Sequence, residues 1–186
     1  MKLNLSLALL LICVFLGSQT TGQQDKMLLK DENITVQEVE PFLYCCLPHK
    51  GPMTDMQDVI GQLMSTMHGQ NIYPAGPMLG IYYDSPDKVK AEDLKWEVGF
   101  PITVQVLPQA PLMKKQWIFK TVVSAVYVGP YEKGGEAIEK MLKWMEHAKF
   151  VPAGPILEKY LDMDPSQVKP EELKTEIWIP CQKSEK

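Results

Sequence analysis

The stretch "YPAGPMLGIYYD" (73–84) returns 78 residues later as "VPAGPILEKYLD" (151–162). A second pair follows, because "EDLKWEVGFP" (92–101) matches "EELKTEIWIP" (171–180) at an offset of 79. Two matched segments in the same order, at nearly the same offset, predict that one structural unit is present twice.

Each copy carries the same series of secondary-structure signals. A β-branched and aromatic run predicts an opening strand, apolar residues at helical spacing predict a helix, and the Ala-Gly-Pro turn ends that helix. The predicted strands of the first copy cover 35–47, 78–84 and 95–106, and those of the second cover 117–128, 156–162 and 174–181. The predicted fold class is α+β, with duplicated strand-helix-strand-strand units in an antiparallel sheet. Two main helices lie on one side, with a groove at the pseudo-twofold axis.

The first 22 residues have the pattern of an export signal. Lys2 precedes an apolar run over 5–17, and small residues suitable for cleavage follow. The apolar run is shorter than the roughly 20 residues of a spanning helix, although an uncleaved anchor is the alternative. We expect a secreted, periplasmic or secretory-lumen protein, with no stable membrane insertion after cleavage.

The rest of the chain is expected to form a single domain. Its predicted parts are an N-terminal linker (23–34) and a domain (35–186), which divides into repeat 1 (35–106), a linker (107–116) and repeat 2 (117–181). The two prolines of "VLPQAPLMKK" (106–115) favour an exposed connection.

The composition argues against several classes of function. The 19 basic residues are all lysine, and the net charge is −4, whereas phosphate and base recognition usually relies on arginine. We therefore expect no nucleic-acid partner. His49, His68 and His147 lack metal-ligand spacing, and no phosphate-binding glycine loop occurs, so no metal or cofactor is predicted.

Three cysteines remain after the predicted cleavage, and export would allow disulfides. Cys45 and Cys46 are adjacent in a predicted strand, so their side chains point to opposite faces and only one of them could pair with Cys181. Three buried free thiols are the alternative. Asn33 begins an Asn-Ile-Thr sequon, a glycosylation site in hosts that glycosylate.

The closing strands contain the first candidate site residues. Alternation places Trp96, Val98 and Phe100 on the face that packs against the helices. The opposite face then carries Glu97 and Gly99 in the first copy and Glu176 and Trp178 in the second. A carboxylate beside an indole is suited to lipophilic cations, with Gly99 leaving a gap opposite the indole. Solvated polar positions on a half-exposed strand are the alternative.

Three tyrosines are further candidates. Tyr82 and Tyr160 occupy matching positions in the two copies, and Tyr131 follows a Gly-Pro pair. If a groove lies on the pseudo-twofold axis, Tyr82 and Tyr160 approach it from opposite sides. Ordinary strand aromatics are the alternative.

The duplicated unit resembles a known family. The Gly-Pro-Tyr segment (129–131), the "PAGP" turns and the closing "KWEVGFPI" and "KTEIWIPC" strands are similar to the GyrI-like small-molecule binding domain, which is also the effector-binding domain of multidrug-responsive transcription activators. The likeness covers 35–181 but includes no DNA-binding domain. It implies a groove for hydrophobic, often cationic compounds, with Glu176 as the acidic determinant and Trp178, Tyr131 and Tyr160 nearby.

Three functions follow from this resemblance. The first is an exported, non-enzymatic protein that binds hydrophobic, possibly cationic small molecules. The second is a hydrolase of strained, cyclopropane-containing toxic compounds, in which Glu176, or less readily Glu97, activates water. The third is haem or tetrapyrrole binding, which rests on the similar fold of the SOUL haem-binding proteins. The sequence predicts no particular oligomeric state.

Overall fold

The computed structural model describes residues 30–184. Within this range the strands are β1 (Thr35–Glu38), β2 (Phe42–Lys50), β3 (Met78–Tyr82), β4 (Lys95–Pro101), β5 (Met113–Trp117), β6 (Thr121–Val128), β7 (Phe150–Pro152), β8 (Ile156–Tyr160) and β9 (Lys174–Lys183). The helices are α1 (Met56–Gly69) and α2 (Gly134–His147). Short 3-10 turns, including Tyr131–Lys133 before α2, connect several of them.

The strands form one antiparallel sheet in the order β1-β6-β9-β8-β3-β4-β2-β5, with β7 pairing on β9. The predicted α+β class with an antiparallel sheet and two helices is thereby confirmed. At its centre β3 pairs with β8, and Gly80 lies opposite Glu158.

Both helices cover the same face of the sheet, which we call the helix face. Directly paired residues share a face, and one row runs from Val98 through Gly80 and Glu158 to Ile177. The α1 residues Val59 and Leu63 pack in the same cluster as Val98, whereas Met141 of α2 packs in the cluster of Ile177. The two helices therefore cover the two ends of the row, and its middle lies between them.

The other face is strongly curved, and we call it the concave face. Three strands lie between β2 and β9 in the sheet, so the two would be about 19 Å apart if it were flat. The rings of Phe42 on β2 and Trp178 on β9 nevertheless have centroids only 6.4 Å apart. Trp117, on the edge strand β5, also lies 6.4 Å from Trp178. The sheet therefore curls, and aromatic side chains from its two ends meet inside.

The opening strand of each half differs from the prediction. The run 35–47 is divided into β1 and β2, because each strand pairs with a different partner: β1 with β6, and β2 with β4 and β5. Pro41 stands between them, where no backbone N–H is available for pairing. In the second half, β5 begins at Met113, inside the segment predicted as a linker.

The three cysteines of the described range are free and buried. Cys45 packs under α1, Cys46 lies on the concave face, and Cys181 packs under α2. Asn33 is exposed. The predicted export signal lies outside the described residues, and within 30–184 no helix is long and apolar enough to cross a membrane.

Candidate functional site

A buried carboxylate lies between the two helices, at the centre of the sheet. Glu158 is only 9% exposed. Tyr160 donates a 2.7 Å hydrogen bond to its Oε2. The Tyr82 hydroxyl lies 3.2 Å from the same oxygen and 2.7 Å from the Tyr160 hydroxyl. Two strands thus bring two hydroxyl groups to one carboxylate oxygen.

The start of α2 completes one side of this cluster. The Tyr131 ring meets that of Tyr160 edge to face, with centroids 5.1 Å apart. The Tyr131 hydroxyl is buried and has no hydrogen-bond partner among the described residues. A Cβ at Gly134, the first residue of α2, would lie 3.4 Å from Oε1 of Glu158. We call Glu158, Tyr82, Tyr131 and Tyr160 the Glu158 site.

The two oxygens of Glu158 are used differently. Both tyrosine contacts are made by Oε2, and within the described residues no hydrogen bond is formed with Oε1. A carboxylate can accept about four hydrogen bonds. Oε1 is therefore the oxygen with capacity for a bound group.

The electrostatics of the Glu158 site follow from its burial. Burial raises the pKa of Glu158, and the hydroxyls of Tyr160 and Tyr82 partly offset this by stabilising the charged form. Burial and the neighbouring Glu158 raise the pKa of both tyrosines above the ordinary value. At neutral pH these tyrosines therefore remain protonated and can donate hydrogen bonds.

Glu97 lies on the opposite, concave face and is neutralised within the chain. It is 1% exposed and forms an ion pair with Lys115 of β5. Tyr44 and Tyr83 donate hydrogen bonds of 2.8 and 2.9 Å to its Oε1. Burial alone would lower the pKa of Lys115, but its hydrogen bond and charge interaction with Glu97 outweigh this and raise it. The ammonium group of Lys115 therefore balances the charge of the Glu97 carboxylate.

Glu176 and Trp178 do lie side by side on the concave face, but the chain supplies its own cation to them. Trp178 donates a 2.8 Å hydrogen bond from its indole nitrogen to Glu176. The ammonium group of Lys159 lies 3.1 Å from the centroid of the Trp178 ring and 3.3 Å from Glu176. Lys159 thus occupies the position that the sequence pattern suggested for a cationic ligand.

The residues singled out in the sequence therefore fall into two groups on opposite faces. Tyr82, Tyr131 and Tyr160 belong to the Glu158 site, and the others face the concave side: Glu97, Gly99, Glu176 and Trp178. The separation arises because Tyr160 is opposite Thr175, one residue before Glu176, and successive strand residues alternate in direction. The expected gap at Gly99 is filled by the β2 backbone around the Cys45 carbonyl.

Sequence reasoning missed Glu158 itself. It lies within "ILEKY", between Leu157 and Lys159, where it reads as an exposed strand position. One signal was available in the matched stretches, where Glu158 aligns with Gly80 while the tyrosine two positions later is retained as Tyr82 and Tyr160. Among residues 30–184 no cluster of potential metal ligands occurs.

Comparison with protein families gives one match over most of the chain. The model of the GyrI-like small molecule binding domain matches residues 32–182. No curated protein matches this chain.

Several solved structures share the fold. The EcmrR C-terminal domain is 16% identical with a TM-score of 0.69, and the match covers 81% of this chain and 97% of that one. A hydrolase from Listeria innocua is 14% identical with a TM-score of 0.61, covering 86% and 96%. SAV2435 bound to tetraphenylphosphonium is 13% identical with a TM-score of 0.55, covering 80% and 93%. At these identities the likeness shows the fold alone.

Proposed function

This chain belongs to the family of GyrI-like small molecule binding domains, and we propose that it binds apolar, cationic small molecules at the Glu158 site. The carboxylate of Glu158 is the counter-charge, and the rings of Tyr82, Tyr131 and Tyr160 are the walls. The observation that carries this proposal is a buried carboxylate with no cationic partner among the described residues.

The contrast with the other two candidate glutamates supports a cationic ligand. Glu97 pairs with Lys115 and Glu176 with Lys159, whereas Glu158 accepts only from neutral hydroxyls. Burying a carboxylate without a counter-charge is unfavourable. A ligand cation would supply the missing charge and would also be attracted by the faces of the tyrosine rings.

The Tyr131 hydroxyl gives a second indication of a ligand. A buried hydroxyl without a partner costs about 1–3 kcal/mol, and Tyr131, whose ring packs against that of Tyr160, is in this state. A ligand with a hydrogen-bond acceptor next to its cationic group would satisfy Tyr131 and Glu158 together.

Tetraphenylphosphonium is a suitable probe, because it is apolar and permanently charged and a protein of the same fold binds it. Its affinity would be measured by calorimetry for the wild-type chain, for Glu158→Gln and for Glu176→Gln, beside the neutral triphenylphosphine oxide. We expect Glu158→Gln to weaken binding of the cation at least tenfold, about 1.4 kcal/mol, and to leave the neutral compound unaffected. Glu176→Gln is the matched control, because Lys159 already balances that carboxylate. Equal affinity in the wild-type chain and Glu158→Gln would refute the proposal.

A hydrolase acting on strained, cyclopropane-containing compounds is the second candidate, and one observation favours it. The raised pKa of Glu158 and its hydrogen bond from Tyr160 suit a general base that activates water. Mass spectrometry would then find product heavier by one water, in excess over enzyme, with the wild-type chain and none with Glu158→Gln. Strictly stoichiometric loss of the compound would exclude catalysis.

We also propose that the chain is exported and that its two halves arose by duplication of one unit. Export is supported by the signal pattern of residues 1–22 and is tested by the N-terminus of the mature chain, expected near residue 23. Duplication is supported by two pairings, Thr35 opposite Ser124 and Cys46 opposite Met113. Met113 follows Thr35 by 78 positions, and Ser124 follows Cys46 by the same number.

A further inference from the structure

Gly80 lies directly beneath the meeting point of the two tyrosine hydroxyls. A Cβ at this position would lie 2.6 Å from the Tyr82 hydroxyl oxygen and 3.1 Å from that of Tyr160. Gly80 is opposite Glu158 in the β3–β8 pair. Any side chain at Gly80 would therefore enter the space in which the three polar groups meet.

The backbone does not account for this glycine. The glycines with positive φ in the described range are Gly51 and Gly129, so Gly80 has a conformation that other residues adopt. A glycine inside a strand is unfavourable relative to alanine and often marks a close approach of another group. The close approach here is that of the two hydroxyls.

We propose that Gly80 is a positioning residue, whose missing side chain lets the hydroxyls of Tyr82 and Tyr160 hold Oε2 of Glu158 and leaves Oε1 for the ligand. The statement about Oε1 rests on the proposed function, whereas the statement about the hydroxyls does not. Gly80 itself touches no ligand and acts through the tyrosines.

An alanine in place of Gly80 would disturb the contact between the Tyr82 hydroxyl and Glu158. The Tyr82 hydroxyl must move away from the new methyl group, and its 3.2 Å contact with Glu158 is already long. The titratable side chains that interact with Glu158 are Tyr82 from β3 and Tyr160 from β8. Loss of either hydroxyl removes a group that stabilises the charged carboxylate. The Glu158 carboxyl should then take up a proton at higher pH.

The test is a carboxyl carbon-13 NMR titration of the ligand-free chain, with the Glu158 signal assigned by its absence in Glu158→Gln. In Gly80→Ala we expect the Glu158 midpoint to rise by about one pH unit. Gly61→Ala is the control, because beyond its chain neighbours and the backbone of its own helix no atom lies within 4 Å of a Cβ there. In a Tyr82→Phe background, the effect of Gly80→Ala should fall to less than half. Thermal unfolding shows whether each variant is folded.

Each result of these measurements either supports or overturns the inference about Gly80. An unchanged Glu158 midpoint in folded Gly80→Ala, or an equal shift in the Tyr82→Phe background, would overturn the inference. If Gly80→Ala does not fold but the double variant Gly80→Ala with Tyr82→Phe does, the inference is supported. If neither variant folds, the inference is overturned, because the glycine would then be needed for another reason. Tetraphenylphosphonium binding, measured separately, shows whether the proposed function fails independently.

Discussion

Replacing Lys115 with methionine would leave the Glu97 carboxylate in the concave interior without its counter-charge. Glu97 is 1% exposed and the Lys115 side chain 30%, so the carboxylate has little access to water. Removing one partner of a buried ion pair typically costs about 3–5 kcal/mol. Because Lys115 is partly exposed, and because Tyr44 and Tyr83 still donate to Glu97, we expect the lower end of this range.

The size of the loss should depend on pH, because Glu97 can escape the penalty by taking up a proton. Protonating a carboxyl with an ordinary pKa of about 4.3 costs about 3.7 kcal/mol at pH 7 and about 1 kcal/mol at pH 5. In Lys115→Met the buried carboxylate would have no counter-charge, and this favours the neutral form in the folded state. Stability relative to the wild-type chain is therefore lost as the pH rises above the unfolded-state pKa.

The assay is urea unfolding followed by tryptophan fluorescence at pH 7 and pH 5. We predict that Lys115→Met lowers the free energy of unfolding by about 3 kcal/mol at pH 7 and about 1 kcal/mol at pH 5. Lys143→Met, which removes an exposed partner of Glu139, is the matched control and should change little at either pH. The double variant Glu97→Gln with Lys115→Met should recover much of the loss at pH 7. The same loss at both pH values, or none, would refute the reasoning.

Three further predictions follow from the site and the core. Burial raises the pKa of Glu158, so the affinity for tetraphenylphosphonium should fall from pH 7 to pH 5 in the wild-type chain and stay constant in Glu158→Gln. Calorimetry would contradict this if the affinities of the two proteins changed with pH in the same way. Gly134→Ala adds a methyl group 3.4 Å from Glu158 Oε1 and should weaken the affinity for tetraphenylphosphonium about threefold, while thermal stability stays equal or rises. Unchanged affinity would contradict a position of Gly134 beside the bound ligand. In the chain from residue 23 onward, a thiol reagent should not react with Cys45, Cys46 or Cys181 while the protein is folded. After unfolding without reductant all three thiols should react, and fewer than three reactive thiols would indicate a disulfide.

The fold could be predicted because its signals are local and repeated. Alternation in "WEVGFP" and "TEIWIP" correctly assigned Val98 and Ile177 to the helix face and Glu97 and Trp178 to the other. The matched stretches also placed Tyr82 and Tyr160 at equivalent positions, and their hydroxyls meet.

The pairing of the candidate residues could not be predicted, because it depends on contacts between distant strands. The counter-charge of Glu97 comes from Lys115 on β5, a strand in a segment that two prolines marked as a linker. Lys159 reaches Trp178 only because β8 and β9 pair in one particular register. Neither lysine has a sequence signal that identifies its partner.

The most direct test of the central claim is to observe the glutamate carboxyl signals while a cation binds. The wild-type chain, carbon-13 labelled at its glutamates, would be titrated with tetraphenylphosphonium at pH 7, with Glu97, Glu158 and Glu176 assigned from their glutamine variants. We predict a saturable shift of the Glu158 signal, with the signals of Glu97 and Glu176 unchanged. A saturable shift at Glu176 with none at Glu158 would place the cation on the concave face and contradict the account.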